Sequence, residues 1–274
     1  MNRIDLNCDM GELPEAIADG TQEALLRSVT SANVACGGHA GDPQTMRTTI
    51  EQALHAGVAV GAHPGYPDRA NFGRLELKLP PEELAASVCE QVRALADIAG
   101  ACGARLTHVK PHGALYNQAV KDSHLAKAIA RGVAKAVGAD ACHFTNASRE
   151  AGASVDPELV VLVGLAGSPM LEIFRQAGFP VAAEAFADRR YEPDGTLRSR
   201  KFDDALIRDP AEAAHQALRI VERGVVTAHD GVEVQLSAQT ICIHGDTSGA
   251  PQIAAAVVRA LLDAGIVLEA LSVG

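Results

Sequence analysis

The sequence predicts a single-domain α/β protein whose parallel strands form a TIM-like β/α barrel. Short runs of β-branched residues alternate with helical segments along the whole chain, which is the pattern of repeated βαβ units. Several predicted helices carry the same signals at their ends: a proline in the first turn and a glycine just after the last helical residue. An open doubly wound sheet explains this alternation equally well. Polar side chains recur where the strands end, however, and a barrel assembles its site from many such ends, so we favour the barrel.

The individual elements follow from these signals. The predicted strands cover residues 4–8, 32–36, 58–63, 106–110, 141–145, 160–164, 181–186, 240–244 and 266–271. The predicted helices begin at a proline and end at a glycine, over 43–57, 81–103, 169–178, 210–224 and 251–265.

Length and composition support one domain. The 274 residues are 47% hydrophobic with only 3% aromatic residues, and no low-complexity linker or change of composition divides them. A core this aliphatic is typical of parallel α/β folds, and barrels of this length commonly form one unit. We therefore expect one catalytic domain over residues 1–274.

Charge and hydropathy exclude several partners. The chain has 24 Lys and Arg against 34 Asp and Glu, and this net charge of −10 argues against nucleic acid or an anionic membrane. No apolar stretch approaches the roughly 20 residues needed to span a bilayer, and the N-terminus lacks a secretory pattern. The six cysteines are scattered without a CxxC pair, so we expect neither a disulfide framework nor a zinc knuckle. We predict a cytoplasmic protein.

Several common catalytic motifs are absent from the sequence. There is no GxxxxGK[ST] loop for ATP, no GxGxxG after a strand for a dinucleotide, and no GxSxG elbow of a serine hydrolase. A thiol nucleophile at Cys36 is less favoured than packing, because this residue ends a buried strand.

Five polar segments follow predicted strands, and each brings a His or carboxylate next to Gly or Pro. They are DLNCDMGE (5–12), SANVACGGHAGDP (31–43), GAHPGYPD (61–68), HVKPHGALYN (108–117) and IHGDTSGA (243–250). One histidine at a strand end is usually a packing residue, so the argument depends on the whole set. The candidate catalytic residues are Asp9, His39, His63, Lys110 and His112, and the candidate substrate-binding residues in these segments are Asn7, Glu12, Asn33, Tyr116, His244 and Asp246.

A metal ion is the main alternative for this set. Aspartate and histidines at barrel strand ends are typical ligands of catalytic zinc or manganese, and Asp9, His39 and His63 form the ligand set to test. The close spacings of HExxH or HxxxH are absent. We narrowly favour the metal-free interpretation, in which the same residues act as general base and oxyanion partners.

The stretch 184–210 predicts a long functional loop. Its section 189–201 contains five basic residues, which favours capture of a carboxylate or phosphate by an otherwise acidic protein. Asp188, Arg189 and Arg190 are the candidate substrate-binding residues here. The alternative is a solvated charged loop, because nearby carboxylates partly cancel the charge.

Taken together, the segments resemble the LamB/YcsF lactam-utilisation family. The matching stretches are DLNCDMGE, TSANVACGGHAGDP, GAHPGYPD, HVKPHGALYN, FADRRY and HGDTSGA, in that order from residue 5 to residue 250. The resemblance implies a distorted barrel of the glycoside hydrolase/deacetylase type. It also implies opening of 5-oxo-L-proline to L-glutamate, coupled to hydrolysis of ATP to ADP and phosphate, in complex with two other oxoprolinase subunits (B and C).

The sequence departs from the family pattern in the predicted pocket walls and loops. Residues 13–18, Gly38, Leu75, residues 202–205 and Ser248 differ from the usual pattern, whereas the polar strand-end residues remain. The reaction type is therefore better supported than the exact substrate, and another lactam stays open.

The resemblance also suggests roles for the candidates. Asp9 or His39 is the expected base on water, and His63 or His112 the assisting acid. Lys110, Arg189 and Arg190 are expected to hold the carboxylate or phosphate of the substrate.

Three interpretations remain open at this stage. The first is a subunit of 5-oxoprolinase, for which ATP is expected to bind mainly to a partner subunit because the chain has no P-loop. The alternatives are a metal-dependent amide hydrolase or deacetylase, and a non-catalytic subunit that binds a small acidic metabolite. Association of the chain with further copies of itself is left open.

Overall fold

Seven parallel strands in the described part of the chain close into a barrel. The computed structural model describes residues 2–138 and 160–271, so the predicted strand at 141–145 lies outside the described residues. The barrel strands are β1 (Arg3–Met10), β2 (Ser31–Ala35), β3 (Ala59–His63), β4 (Leu106–Val109), β5 (Val161–Leu165), β6 (Val181–Phe186) and β9 (Thr240–Ile243). They pair in the order β1-β2-β3-β4-β5-β6-β9, and β9 pairs again with β1. This closure confirms the distorted β/α barrel over the open sheet.

Helices cover the outside of the barrel. They are α1 (Pro14–Ala18), α2 (Thr21–Leu26), α3 (Pro43–Ala56), α4 (Pro81–Ala101), α5 (Gly113–Ala119), α6 (Ser123–Ala136), α7 (Pro169–Gln176), α8 (Pro210–Arg223) and α9 (Ala250–Asp263). The predicted end signals are confirmed at α3, where the Asp42 side chain accepts from the backbone N–H groups of Gln44 and Thr45 and Gly57 ends the helix with φ 71°. Within the described ranges, no helix is both long and apolar enough to cross a membrane.

A short hairpin lies beside the barrel, and the sequence patterns did not predict it. Its antiparallel strands are β7 (Val225–Thr227) and β8 (Glu233–Gln235). Each has only three residues, too few for an alternating pattern to be recognised. The last strand, β10 (Val267–Leu268), pairs with the start of β1 outside the closed ring and is shorter than the predicted 266–271.

The interior of the barrel is polar, with side chains in layers. Asp5, Asn7 and Asp9 alternate along β1 with apolar residues that belong to the hydrophobic core. Because successive side chains of a strand point to opposite faces, one face of β1 meets the helices and the other faces inward. Asp5 comes first of the three along β1, and its carboxylate accepts hydrogen bonds from the hydroxyls of Thr30, Ser31 and Thr240.

Gly61 allows a histidine to cross the barrel interior. Gly61 on β3 is the register partner of His108 on β4, and a Cβ built on Gly61 would lie 2.2 Å from Nε2 of His108. The imidazole thereby passes over β3 and reaches Oδ1 of Asn33 on β2 at 2.8 Å. A side chain at position 61 would break this contact.

We predict that Gly61→Ala destabilises the fold through this one collision. Overpacking of this kind typically costs about 1–3 kcal/mol of unfolding free energy, measurable by urea denaturation. The matched control is His108→Ala alone and combined with Gly61→Ala. The double variant should be markedly more stable than the sum of the two single losses predicts, because the collision is absent. Additive losses would contradict the packing described here.

Candidate functional site

A large cavity opens where the barrel strands end at their carboxyl termini. Its volume is about 1200 Å³. Nine of the fourteen residues singled out in the sequence line it, namely Asp9, Glu12, His63, Lys110, His112, Tyr116, Arg189, His244 and Asp246. The other five, Asn7, Asn33, His39, Asp188 and Arg190, are not among its lining residues. The fold therefore brings the polar residues at the strand ends together around one cavity, as the sequence predicted.

An ion pair between Asp9 and Lys110 lies at the base of the cavity. Nζ of Lys110 is 2.8 Å from Oδ1 of Asp9, and the two residues, Lys110 and Asp9, are only 2% and 8% exposed. The same ammonium donates to Sγ of Cys242 at 3.1 Å and to Oδ1 of Asn7 at 3.4 Å, and it lies 3.2 Å from Oε1 of Glu184. Because these contacts occupy its three donors, Lys110 has none left for a substrate. Its geometry is that of a residue that positions Asp9, rather than the phosphate or carboxylate holder that we expected.

A layer of amides and carboxylate supports this pair from inside the barrel. Nδ2 of Asn33 donates to Oδ1 of Asp9 at 2.8 Å and lies 2.7 Å from Oδ1 of Asn7. Nδ2 of Asn7 in turn donates to Oε1 of Glu184 at 3.0 Å and to the hydroxyl of Thr240 at 2.6 Å. Asn7 and Asn33 thus hold the catalytic candidates in place instead of lining the cavity.

The charges fix the protonation states at the base of the cavity. Burial alone would raise the pKa of Asp9, but His63 and Lys110 outweigh it and hold this pKa well below its ordinary value. Burial likewise opposes the charged form of Lys110, yet Asp9 raises the pKa of the ammonium well above its usual range. Asp9 is therefore a permanent carboxylate at neutral pH.

Three histidines surround the carboxylate of Glu12. Oε1 of Glu12 lies 2.9 Å from Nε2 of His39, 3.1 Å from Nδ1 of His112 and 3.7 Å from Nε2 of His63. The rings of His39 and His112 stack at 3.6 Å, and Nε2 of His63 lies 3.3 Å from Oδ2 of Asp9. Burial lowers the pKa of His39 to about 4, so this ring is neutral at pH 7.

The loop after β3 holds one of these rings through its backbone. The carbonyl of Phe72 accepts from Nε2 of His112 at 2.9 Å, and Phe72 has the left-handed φ of 56°. A non-glycine residue in this region is strained, and such strain occurs most often at functional sites. The loop is anchored because Ala114 donates its backbone N–H to the carbonyl of Gly73, and a Cβ on Gly113 would lie 2.8 Å from that same oxygen.

A second buried pair lies across the cavity. Asp188 follows β6 and is fully buried; its carboxylate accepts from Nδ1 and from the backbone N–H of His244 at 2.9 and 3.1 Å, and from the hydroxyl of Thr247 at 3.2 Å. Burial would raise the pKa of Asp188, but His244 outweighs it and lowers this pKa. Asp188 therefore orients His244, whose ring stacks on Phe186 beside the cavity.

The two arginines predicted to capture an anion have other partners. The guanidinium of Arg189 donates to the backbone carbonyls of Arg198 and Ala205 and so braces the loop 187–209. Arg190 pairs with Glu212 on α8 at 2.8 Å, outside the cavity. The structure does not bring Arg190 to the other candidates.

Two arginines that were not singled out lie at the mouth instead. Arg200 is 2.8 Å from Oδ2 of Asp246, and Arg74 contacts the same carboxylate. The three side chains come from three different loops and are 16–42% exposed, so they remain accessible from the cavity.

Four residues of this site were missed in the sequence. Glu184 interrupts the otherwise apolar strand β6, and that interruption was the available signal. His108 lies in β4 next to the polar Thr107 and lacked this contrast. Arg200 belongs to the basic stretch 189–201, but nothing in the sequence distinguished it from the other basic residues there, and Arg74 had no signal because many exposed loops carry arginine. Tyr116 was predicted, and burial together with the nearby Glu184 raises the pKa of its hydroxyl well above the ordinary value.

Two groups of side chains in the described residues have the composition to hold a metal ion. The ligand atoms of Glu12, His39, His63 and His112 all lie within 4.8 Å of one another, and so do those of Asp9, Cys242 and His244. The predicted set of Asp9, His39 and His63 thus divides between the two.

We predict that Asp188→Asn lowers stability in a pH-dependent way. The folded-state pKa of Asp188 is lowered, so its contribution is present above the unfolded pKa near about 4 and is lost as the pH falls below it. The loss in unfolding free energy should be about 1.5–3 kcal/mol at pH 7 and should shrink as the pH falls below about 4. Asp263→Asn, at an exposed site on α9, is the matched control. A difference that stays constant with pH would contradict the pairing.

Comparison with known proteins gives consistent results over the full length. A sequence model of the LamB/YcsF family matches residues 4–273. The chain is 51% identical to the A subunit of 5-oxoprolinase from Chloroflexus aggregans over 98% of its own length and 99% of the relative. It is 46% identical to the corresponding 5-oxoprolinase chain of Bacillus licheniformis over 99% of its own length and 100% of the relative.

A solved structure agrees with the same assignment. The crystal structure of the lactam utilization protein from Thermus thermophilus superposes with a TM-score of 0.84 at 42% identity, covering 98% of this chain and 100% of that one. Sequence and fold therefore match one set of proteins from end to end, and the chain belongs to the LamB/YcsF family.

Proposed function

We propose that this chain is the A subunit of an ATP-dependent 5-oxoprolinase, which opens 5-oxo-L-proline to L-glutamate while ATP is hydrolysed to ADP and phosphate. The observation that carries the proposal is the match, over 98% of the chain, to relatives named as this component of 5-oxoprolinase. Their names describe one subunit of a larger enzyme, which implies a multi-subunit assembly, and we propose two other oxoprolinase subunits (B and C) as partners. ATP supply is consistent with the cytoplasmic setting predicted from the sequence.

The cavity supports an anionic lactam as substrate. A carboxylate is best recognised by guanidinium groups, and Arg74 and Arg200 already converge on the carboxylate of Asp246. We infer that the carboxylate of 5-oxoproline binds these arginines in the place of, or beside, Asp246. The lactam ring then extends towards Asp9 and His63 at the base of the cavity.

The proposed chemistry begins with activation of the lactam, because an unstrained five-membered amide is stable. Transfer of the γ-phosphoryl group of ATP to the lactam oxygen makes the ring carbon electrophilic. Water then adds to that carbon and the ring C–N bond breaks, leaving an acyl phosphate that a second water hydrolyses to glutamate and phosphate. Two waters are consumed, one for the amide and one for ATP.

The side chains of the cavity are suited to the water steps. Asp9 presents Oδ2 beside His63, while its Oδ1 is held by Lys110 and Asn33. We assign Asp9 as the base towards water. The proton that Asp9 takes from water then passes to the leaving ring nitrogen, while His63 beside Oδ2 holds Asp9 in position. Because this chain has no P-loop, we assign the phosphoryl transfer to a partner subunit.

The first test is turnover in the assembled complex. General base catalysis is typically worth about 10²–10⁴-fold, so Asp9→Asn should reduce ATP-dependent glutamate formation from 5-oxoproline by that factor. Asp263→Asn is the control and should keep wild-type turnover, as its carboxylate is exposed on α9. Wild-type turnover in Asp9→Asn would instead favour a non-catalytic subunit that only binds a metabolite. A correctly assembled wild-type complex without turnover would contradict 5-oxoproline as the substrate.

The second test distinguishes the arginines at the cavity mouth, Arg74 and Arg200, from the pair predicted from the sequence, Arg189 and Arg190. Hydrogen bonds to charged groups are worth about 1.5–3 kcal/mol, so Arg200→Met should raise KM about 10- to 150-fold with little change in kcat. Arg190→Met should leave KM unchanged, because its guanidinium is paired with Glu212 outside the cavity. A rise in KM for Arg190→Met but not for Arg200→Met would restore the sequence-based assignment.

A further inference from the structure

The hydrogen bonds of two histidines determine where their protons lie. Nδ1 of His63 is 2.7 Å from the backbone carbonyl of Lys110, and Nε2 of His112 is 2.9 Å from the carbonyl of Phe72. A carbonyl oxygen only accepts, so each of these ring nitrogens must carry the proton. In the neutral rings, Nε2 of His63 and Nδ1 of His112 are therefore unprotonated.

These two unprotonated nitrogens face each other. They are 2.9 Å apart, and the carboxylate of Glu12 lies 3.1 Å from the nitrogen of His112 and 3.7 Å from that of His63. Three acceptors at this distance repel one another unless a cation lies between them. Burial strengthens the requirement, since His63 and His112 are only 1% and 6% exposed and water does not screen them.

A fourth atom that can bind a metal lies beside these three. Nε2 of His39 lies 2.9 Å from the same Glu12 oxygen, and its ring stacks on His112. Glu12 lies 2.9–3.7 Å from the three ring nitrogens, and the nitrogens of His63 and His112 are 2.9 Å apart. These four separations bracket the edge of about 3.3 Å that a tetrahedron acquires from zinc–nitrogen bonds of 2.0–2.1 Å, and all four ligand atoms lie within 4.8 Å of one another. Nδ1 of His39 has no hydrogen-bond partner in the described part of the chain, so nothing there ties the ring to a different orientation.

The surroundings of the cluster also match those of metal ligands. Histidines that bind metals almost always donate their other ring nitrogen to a carbonyl or carboxylate, as His63 and His112 do. Three imidazoles and one carboxylate suit zinc and neighbouring transition metals, whereas magnesium and calcium prefer oxygen ligands.

We propose that Glu12, His39, His63 and His112 bind a divalent transition metal ion of the zinc type. This ligand set keeps His39 and His63 from the predicted set and has Glu12 and His112 in the place of Asp9, because the ligand atoms of these four residues lie within 4.8 Å of one another. The proposal does not depend on 5-oxoproline being the substrate, because its test measures metal binding and not turnover.

The test is metal binding by the full-length chain. Protein stripped with a chelator is dialysed against Zn²⁺, and elemental analysis is expected to find one tightly bound zinc per chain. Co²⁺ in place of zinc should give the visible absorption bands of a tetrahedral site. Folded wild-type protein, verified by circular dichroism, that retains no stoichiometric metal would overturn the proposal and would mean that a shared proton joins the two nitrogens.

Variants identify the ligands. Loss of an outer partner of a metal site already weakens binding about 10–100-fold, so Glu12→Gln should weaken zinc binding by at least about 100-fold. His39→Asn is the second variant and should do the same if Glu12→Gln does not fold. His124→Asn removes an exposed histidine of α6 and is the matched control, with wild-type affinity expected. Wild-type zinc affinity in folded Glu12→Gln or His39→Asn would overturn the assignment.

Discussion

The ion pair of Asp9 and Lys110 determines the arrangement of the rest of the site. Both groups are buried at the base of the cavity, and removal of one partner from such a pair typically costs about 3–5 kcal/mol because an uncompensated charge remains. Glu184 lies 3.2 Å from the ammonium of this pair, Asn33 donates to Oδ1 of Asp9, and Asn7 links Asn33 to Glu184. The polar interior of the barrel is thus a scaffold that fixes one carboxylate oxygen of Asp9 and leaves the other beside His63.

The sequence was sufficient to predict the fold and the convergence of its polar strand ends on one cavity. Proline and glycine at helix ends, as at Asp42 and Gly57, mark boundaries through local backbone physics, and β6 was predicted at its observed bounds. Barrel closure and the convergence of strand ends also followed, because polar residues end most strands. The role of each residue did not follow, since it depends on partners that are distant in the chain. Lys110, for example, meets Asp9 only across 101 residues.

The arginine-rich loop illustrates the same limit. Charge alone indicated anion capture by the stretch 189–201, and Arg189 and Arg190 were chosen from its five basic residues. Burial distinguishes them, because Arg189 is 4% exposed and bonded to backbone carbonyls, whereas Arg200 meets Asp246 at the mouth. An arginine committed to the backbone stabilises a loop, while one held by an accessible carboxylate can exchange that partner for a ligand.

The central claim is that a lactam binds between the arginines at the mouth and the carboxylate of Asp9 at the base of the cavity. The most direct measurement is a crystal structure of the chain soaked with 5-oxo-L-proline. The account predicts the carboxylate of the ligand on Arg74 and Arg200, with the lactam ring directed towards Asp9 and His63. Binding of the ligand elsewhere on the protein, with the cavity unchanged, would contradict it.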